Sequence, residues 1–204
     1  MSEKRPIWTK NFINLSISTF FIFAVFYALL TFIPIYVMSD LGGSAAQAGL
    51  AVSVFLVSAI IVRFIAGMIL EKYGKRRVLI ISVLMFAVST ILYVFINDFT
   101  PLLLLRFFHG IWFSLVTTVA GAIAADIIPP ERRGEGLGYY GIAMNLAVVA
   151  GPFIVLSLQP ILASRVIFMV LGVIMAIGFL CAFLVEIEED GRVRPREKRK
   201  LAML

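Results

Sequence analysis

Six apolar stretches, each free of acidic and basic side chains, divide the chain: Asn11–Ser39, Leu41–Val62, Val78–Asn97, Phe107–Ala125, Gly136–Ser164 and Val166–Val185. All reach the roughly 18 residues at which an apolar run reads as a membrane span, since about 20 helical residues cross the hydrocarbon core. Lipid offers no partners to backbone N–H and C=O groups, so a spanning element is a helix or a closed barrel. A barrel would show short segments alternating between apolar and polar, which these runs do not. The pattern predicts helices over Phe12–Met38, Ala45–Leu70, Val78–Ile96, Pro101–Ala125, Leu137–Leu158 and Arg165–Val185. The first run is too long for a removable signal peptide and lacks a small-residue cleavage site. The expected fold is an all-α polytopic membrane protein. Segment 1–11 leads into a membrane domain over 12–185, and a polar tail follows over 186–204.

Prolines punctuate this pattern. Pro101 suits a first helical turn, where its missing donor costs nothing. Pro129-Pro130 stops the fourth helix. Pro34 and Pro152 lie inside apolar segments and are candidate kinks, which membrane bundles tolerate.

Composition sharpens the class. Of the 204 residues, 61% are hydrophobic and 15% charged, against roughly half and a quarter in soluble domains. This excludes a soluble globular enzyme, a disordered chain and a collagen-like fibre. The net charge of +6 raises nucleic acid as a partner until the cations are placed. Lys4, Arg5 and Lys10 precede the first span; Lys72, Lys75, Arg76 and Arg77 follow the second; Arg132 and Arg133 follow the fourth; six more crowd the tail from Arg192 to Lys200. Only Arg165 falls on the other side, and Arg63 and Arg106 lie within spans. This asymmetry predicts a multi-pass plasma-membrane protein with both termini cytoplasmic. It accounts for the basic charge without nucleic acid, and the tail cluster could also touch anionic lipid. Cys181, the single cysteine, has no internal disulfide partner and reads as packing. No metal or cofactor is expected.

Chemistry inside the spans is sparse. None of the twelve acids falls deep in a run, so a proton-coupled mechanism, which needs a group titrating in the membrane, has only His109. Arg106 and His109 are three apart and share a helix face, which Phe113 and Thr117 extend. A cation beside a near-neutral titrator suits an anionic substrate or a proton relay. Alternatively, Arg106 snorkels to the outer interface and His109 makes an interhelical hydrogen bond, the preferred reading of the histidine. Arg63 is expected to snorkel inward. Asn145, mid-span, either glues two helices or faces a polar cavity. Tyr27 and Thr31, four apart, line a cavity or pack with an interhelical hydrogen bond. Gly138, Gly141 and Gly151, with Gly110, Gly121, Gly172 and Gly178, are expected to admit close helix approach.

Three segments together resemble the major facilitator superfamily. Gly67-Met-Ile-Leu-Glu71-Lys72-Tyr-Gly74-Lys75-Arg76-Arg77 is similar to its signature loop between the second and third helices, with Glu71 in place of aspartate. The acid beside cations suits a breakable contact at a cytoplasmic gate. Leu103-Leu-Leu-Arg106-Phe-Phe-His109-Gly110 resembles its fourth-helix pattern, with His109 in place of glutamine. This resemblance implies that Arg106 lines or braces the transport path. Gly138 and Gly151-Pro152 match its antiporter pattern, while Ala147, Val155 and Leu156 depart from it.

The resemblance implies two inverted three-helix repeats forming one half of a twelve-helix fold, although no clear sequence identity links the two triplets. The tail resembles the linker between halves. The chain therefore reads as an N-terminal half, truncated or natural, that pairs with a second six-helix half or with its own copy. The function implied is secondary transport of a small molecule by alternating access, weakly tilted toward efflux of lipophilic compounds, with protons as the coupling ion if one operates. The alternative is a non-transporting half or membrane scaffold. An intramembrane serine protease is disfavoured because Ser114 does not share the His109 face. A channel is disfavoured because no filter sequence or ring-forming acid appears.

Overall fold

The computed structural model describes residues 5–187, so most of the tail and its cation cluster lie outside the described residues. Six helices appear: α1 (Lys10–Ser39), α2 (Ala45–Tyr73), α3 (Lys75–Leu92), α4 (Phe99–Ile127), α5 (Arg133–Leu158) and α6 (Ser164–Phe183). Counting a short 3₁₀ turn, Tyr93–Phe95, that extends α3, all six are long and apolar enough to cross a membrane.

Local chemistry sets the ends. Thr9 caps α1, its hydroxyl accepting from the Phe12 N–H at 3.2 Å. Ser44 and Gln47 form a reciprocal capping box on α2, satisfying donors that a helix start leaves open. α2 and α3 are joined by Gly74 alone, at φ +82°, a conformation that glycine adopts without steric cost. Pro101 falls in the first turn of α4, as its position in the sequence predicts, although the helix starts two residues earlier. α5 starts four residues before the expected Leu137, and both α1 and α5 run on through Pro34 and Pro152.

Packing follows an exchange between the two triplets. α1 packs most heavily on α5 and α6, whereas α4 packs most heavily on α2 and α3. Each triplet thus lends its first helix to the other two of its counterpart, the relation expected of interlocked repeats. α3 and α6 also touch, while α2–α3 and α4–α5 contacts are slight. The core is lined chiefly by α1, α3 and α4; α2 and α5 are the least covered helices. At the basic end, the Asn11 side chain ties α1 to the segment after α6, donating to the Glu186 carbonyl at 2.6 Å and accepting from its N–H at 3.0 Å.

Glycines mark two of the closest crossings. A Cβ on Gly110 would stand 2.3 Å from the Phe55 carbonyl oxygen of α2, and one on Gly151 would stand 2.4 Å from the Ala24 carbonyl oxygen of α1. Gly172 and Gly178 also meet neighbouring helices. Gly67, Gly121, Gly138 and Gly141 do not: nothing lies within 4 Å of their added Cβ. The expectation of close approach at Gly121, Gly138 and Gly141 is therefore corrected. These three sit on faces that no described neighbour covers.

Candidate functional site: two arginines on the α2–α4 seam

α2 and α4 are first and third of three consecutive spans, so they run in the same direction. Their contacts keep nearly one register from end to end. Arg106 of α4 donates from Nε to the Ala51 carbonyl of α2 at 3.0 Å. Gly110 then meets Phe55 and Ser58. Nearer the basic end, Arg63 of α2 donates from Nη2 to Thr117 Oγ1 of α4 at 3.2 Å. A cation from each helix thus reaches across to the other, with a glycine contact between them.

The two cations live in different surroundings. Arg106 is fully buried, at 1% exposure, with its guanidinium carbon 4.3 Å from the centre of the Phe55 ring. Its Nη2 has no hydrogen-bond partner, and no acid forms an ion pair with it among the described residues. The snorkelled alternative is not what the structure shows. The Ala51 carbonyl, the Phe55 ring and the neighbouring Tyr93 hydroxyl stand against the charge, and a buried charge without a counter-ion is costly. Arg63 is exposed, yet lies about 15 Å from the end of α2 at 1.5 Å per residue. It does not snorkel inward as expected but turns to Thr117.

His109 is completely buried. Its Nδ1 lies 3.1 Å from the Tyr93 hydroxyl and its Nε2 lies 3.4 Å from Thr90 Oγ1. The interhelical hydrogen bond preferred for this residue is present, toward α3 and the turn that follows it. Phe86 packs on the imidazole at 4.2 Å between ring centres. Phe113 stacks on Phe26 of α1 at 4.3 Å and also meets Phe55 and Phe86. Arg106, His109 and Phe113 therefore share a dry, aromatic face inside the bundle.

The remaining candidates lie elsewhere. Thr117 is half-buried and bonds both Arg63 and the Phe113 carbonyl. Tyr27 is half-buried; Thr31 donates to the Tyr27 carbonyl at 3.0 Å, so the hydroxyl bond expected between helices is made within α1. Asn145 is exposed mid-span on α5 and has no hydrogen bond among the described residues, so it is not helix glue within this chain. Two clefts lie away from Arg106. One of about 400 Å³ is lined by Tyr36, Asp40, Asn97 and Arg165, and one of about 380 Å³ lies beside Arg77.

The signature loop also differs from expectation in one respect. Glu71, Lys72 and Arg76 are exposed, and Glu71 makes no ion pair among the described residues. The charged contact runs instead from Lys75 to Asp126 at the end of α4. Arg132 closes the same end with a two-pronged bond to Glu135, at 2.9 and 2.7 Å.

Sequence reasoning missed Thr90, Tyr93, Phe55 and Asp126. Thr90 and Tyr93, three apart near the end of an apolar run, are a polar pair that helical spacing puts on one face, and this signal was available. Phe55 had none, being one of eighteen phenylalanines.

A sequence model of the major facilitator superfamily matches residues 15–203. The chain belongs to this family. Its members are membrane transporters, not enzymes. An uncharacterized MFS-type transporter of Methanocaldococcus jannaschii is 32% identical over 114 residues, 56% of this chain and 30% of its own length. The quinolone resistance protein NorA of Staphylococcus aureus is 27% identical over 143 residues, 70% of this chain and 37% of NorA. Among solved structures, the peptide transporter POT superposes with a TM-score of 0.79 at 17% identity, covering 87% of this chain and 38% of that one. The human organic anion transporter TETRAN gives 0.73 at 19%, covering 88% and 47%. The chain thus spans about a third of the length of the curated relatives it matches.

Proposed function

We propose that this chain is one six-helix half of a secondary carrier that moves a small molecule by alternating access, its aqueous path completed by a second six-helix bundle. Arg63 carries the reading. Hydrocarbon does not accept a guanidinium exposed at that depth, and in-span ions face a bundle interior or a water-filled cavity. Asn145 of α5 is likewise exposed within a span, and Thr117, which meets Arg63, is half-buried, as is Tyr27. The least covered helices, α2 and α5, are where a second half or a second copy would seat. In this reading Arg106 braces the path by tying α4 to α2, and Lys75–Asp126 is the cytoplasmic contact that opens and closes. Both termini are cytoplasmic, as the cation asymmetry indicates. The aromatic, acid-poor interior and the likeness to a quinolone resistance protein support export of lipophilic compounds. Where protons drive it, His109 is their carrier.

The test uses the complete protein, with Cys181→Ser and any further native cysteine replaced by Ser. Asn145→Cys is expected to react with a membrane-impermeant thiol reagent, and substrate to slow that reaction. Absence of labelling in a folded protein would place α5 against lipid and overturn the shared path. In proteoliposomes Arg106→Ala is expected to lose transport; unchanged transport removes Arg106 from the mechanism. A second reading, a half that does not transport alone, draws on the dry setting of Arg106. Uptake by the 204-residue chain in the same assay would exclude it.

A further inference from the structure

The slight contact between α2 and α3 leaves a groove between them, because both lean on α4. Ile69 and Tyr73 of α2 form one wall, Val78, Ile81 and Ser82 of α3 the other, and Trp112 and Leu115 of α4 the floor; Arg77 stands among the lining residues at the basic end. The space is about 380 Å³. Its α3 wall makes no polar demand. Ser82, the one hydroxyl within the α3 wall, donates to its own helix at Val78, 2.5 Å away. Arg77, by contrast, is exposed and has no ion pair among the described residues, and exposed Arg76 and Lys72 beside it have none either.

An apolar trough with an uncompensated cation at its mouth fits an amphiphile with a negative head. Depth narrows the choice further. Trp112 lies midway along α4, so the groove runs from the basic end to the middle of the bilayer, which is the reach of one leaflet. Ile81 of α3 is more than half exposed, so the trough lies open toward the membrane on its α3 side. We propose that this groove is a binding site for a phospholipid with an anionic headgroup, one acyl chain lying against Trp112 and the phosphate meeting Arg77. The site requires only that the chain span a bilayer, and it stands whether or not the protein transports.

The chain has two tryptophans, so Trp8→Phe, with any tryptophan of a second half likewise replaced by Phe, leaves Trp112 as the sole reporter. The protein is reconstituted in phosphatidylcholine bilayers with a fixed fraction of chain-brominated phosphatidylglycerol or chain-brominated phosphatidylcholine, and quenching of Trp112 is read. Phosphatidylglycerol is expected to quench with an apparent affinity about fivefold above that of phosphatidylcholine. The preference should vanish in Arg77→Gln and return in Arg77→Lys. Equal quenching by the two lipids, or an unchanged preference in Arg77→Gln, overturns the proposal. Raising the salt concentration on the Trp8→Phe protein gives an independent reading that needs no folded Arg77 variant. The preference should decline with salt, and a salt-independent preference overturns the proposal equally.

Discussion

The α2–α4 seam and the α1–α5 seam are counterparts in the two triplets, and they solve the same packing problem with different chemistry. Both are parallel pairs brought close by one glycine, Gly110 in the first and Gly151 in the second. The α1–α5 seam is neutral: Thr19 and Tyr140 share a buried hydrogen bond of 2.9 Å. The α2–α4 seam carries two arginines, one dry and one open. Backbone proximity is thus what the repeats hold in common, and charge has been placed on one side only. A neutral seam asks for nothing beyond packing. A seam holding a buried cation with no counter-ion among the described residues is under electrostatic stress, and such stress is characteristic of functional sites in membranes.

The comparison breaks most readily at the glycines. Gly110→Val and Gly151→Val should each cost about 3 kcal/mol or more, since the added atoms meet backbone that cannot move aside. Thermal unfolding in detergent should show both variants strongly destabilised. If only one falls, the seams are not equivalent. Arg106→Met separates stress from packing. Exchanging an uncompensated buried ion for an apolar side chain of similar volume should leave stability unchanged or raise it by about 1–4 kcal/mol, while transport by the complete protein falls. A stability loss of similar size would mean that Arg106 is structural. On the neutral seam, Tyr140→Phe should cost about 0.6 kcal/mol, the mean for hydrogen bonds between membrane helices. Lys75→Gln should change stability by at most about 1 kcal/mol and only at low salt, because that pair is well exposed. Gly138→Ala, which meets open space, should change stability by no more than about 0.5 kcal/mol. A larger loss in the isolated chain would mean that its face is covered after all.

The elements were legible because a membrane imposes a simple rule on sequence. Uninterrupted apolar length marks a span, and Gly74 and Pro129-Pro130 mark joints that the structure uses. His109 was legible as a hydrogen-bonded residue, since a lone imidazole in an apolar helix needs a partner. The rotational setting of each helix was not. Gly138 and Gly151 lie on the same helix, yet one faces open space and the other a backbone carbonyl. In a run that is apolar all round, periodicity gives no direction. Glu71 and Asp126 show the same limit at the basic end: both acids stand near cations in sequence, but only the fold brings Lys75 to one of them.

What the sequence alone determined is the solvent of this protein, the number of its helices, the sign of charge at each end and the family to which it belongs, because these depend on composition and spacing along one dimension. Which arginine is dry and which is open was decided only by tertiary structure. Arg63 and Arg106 are both single cations set in apolar helices. Their difference arises from what α3 and the aromatic core pack against one side of the α2–α4 seam and leave bare on the other.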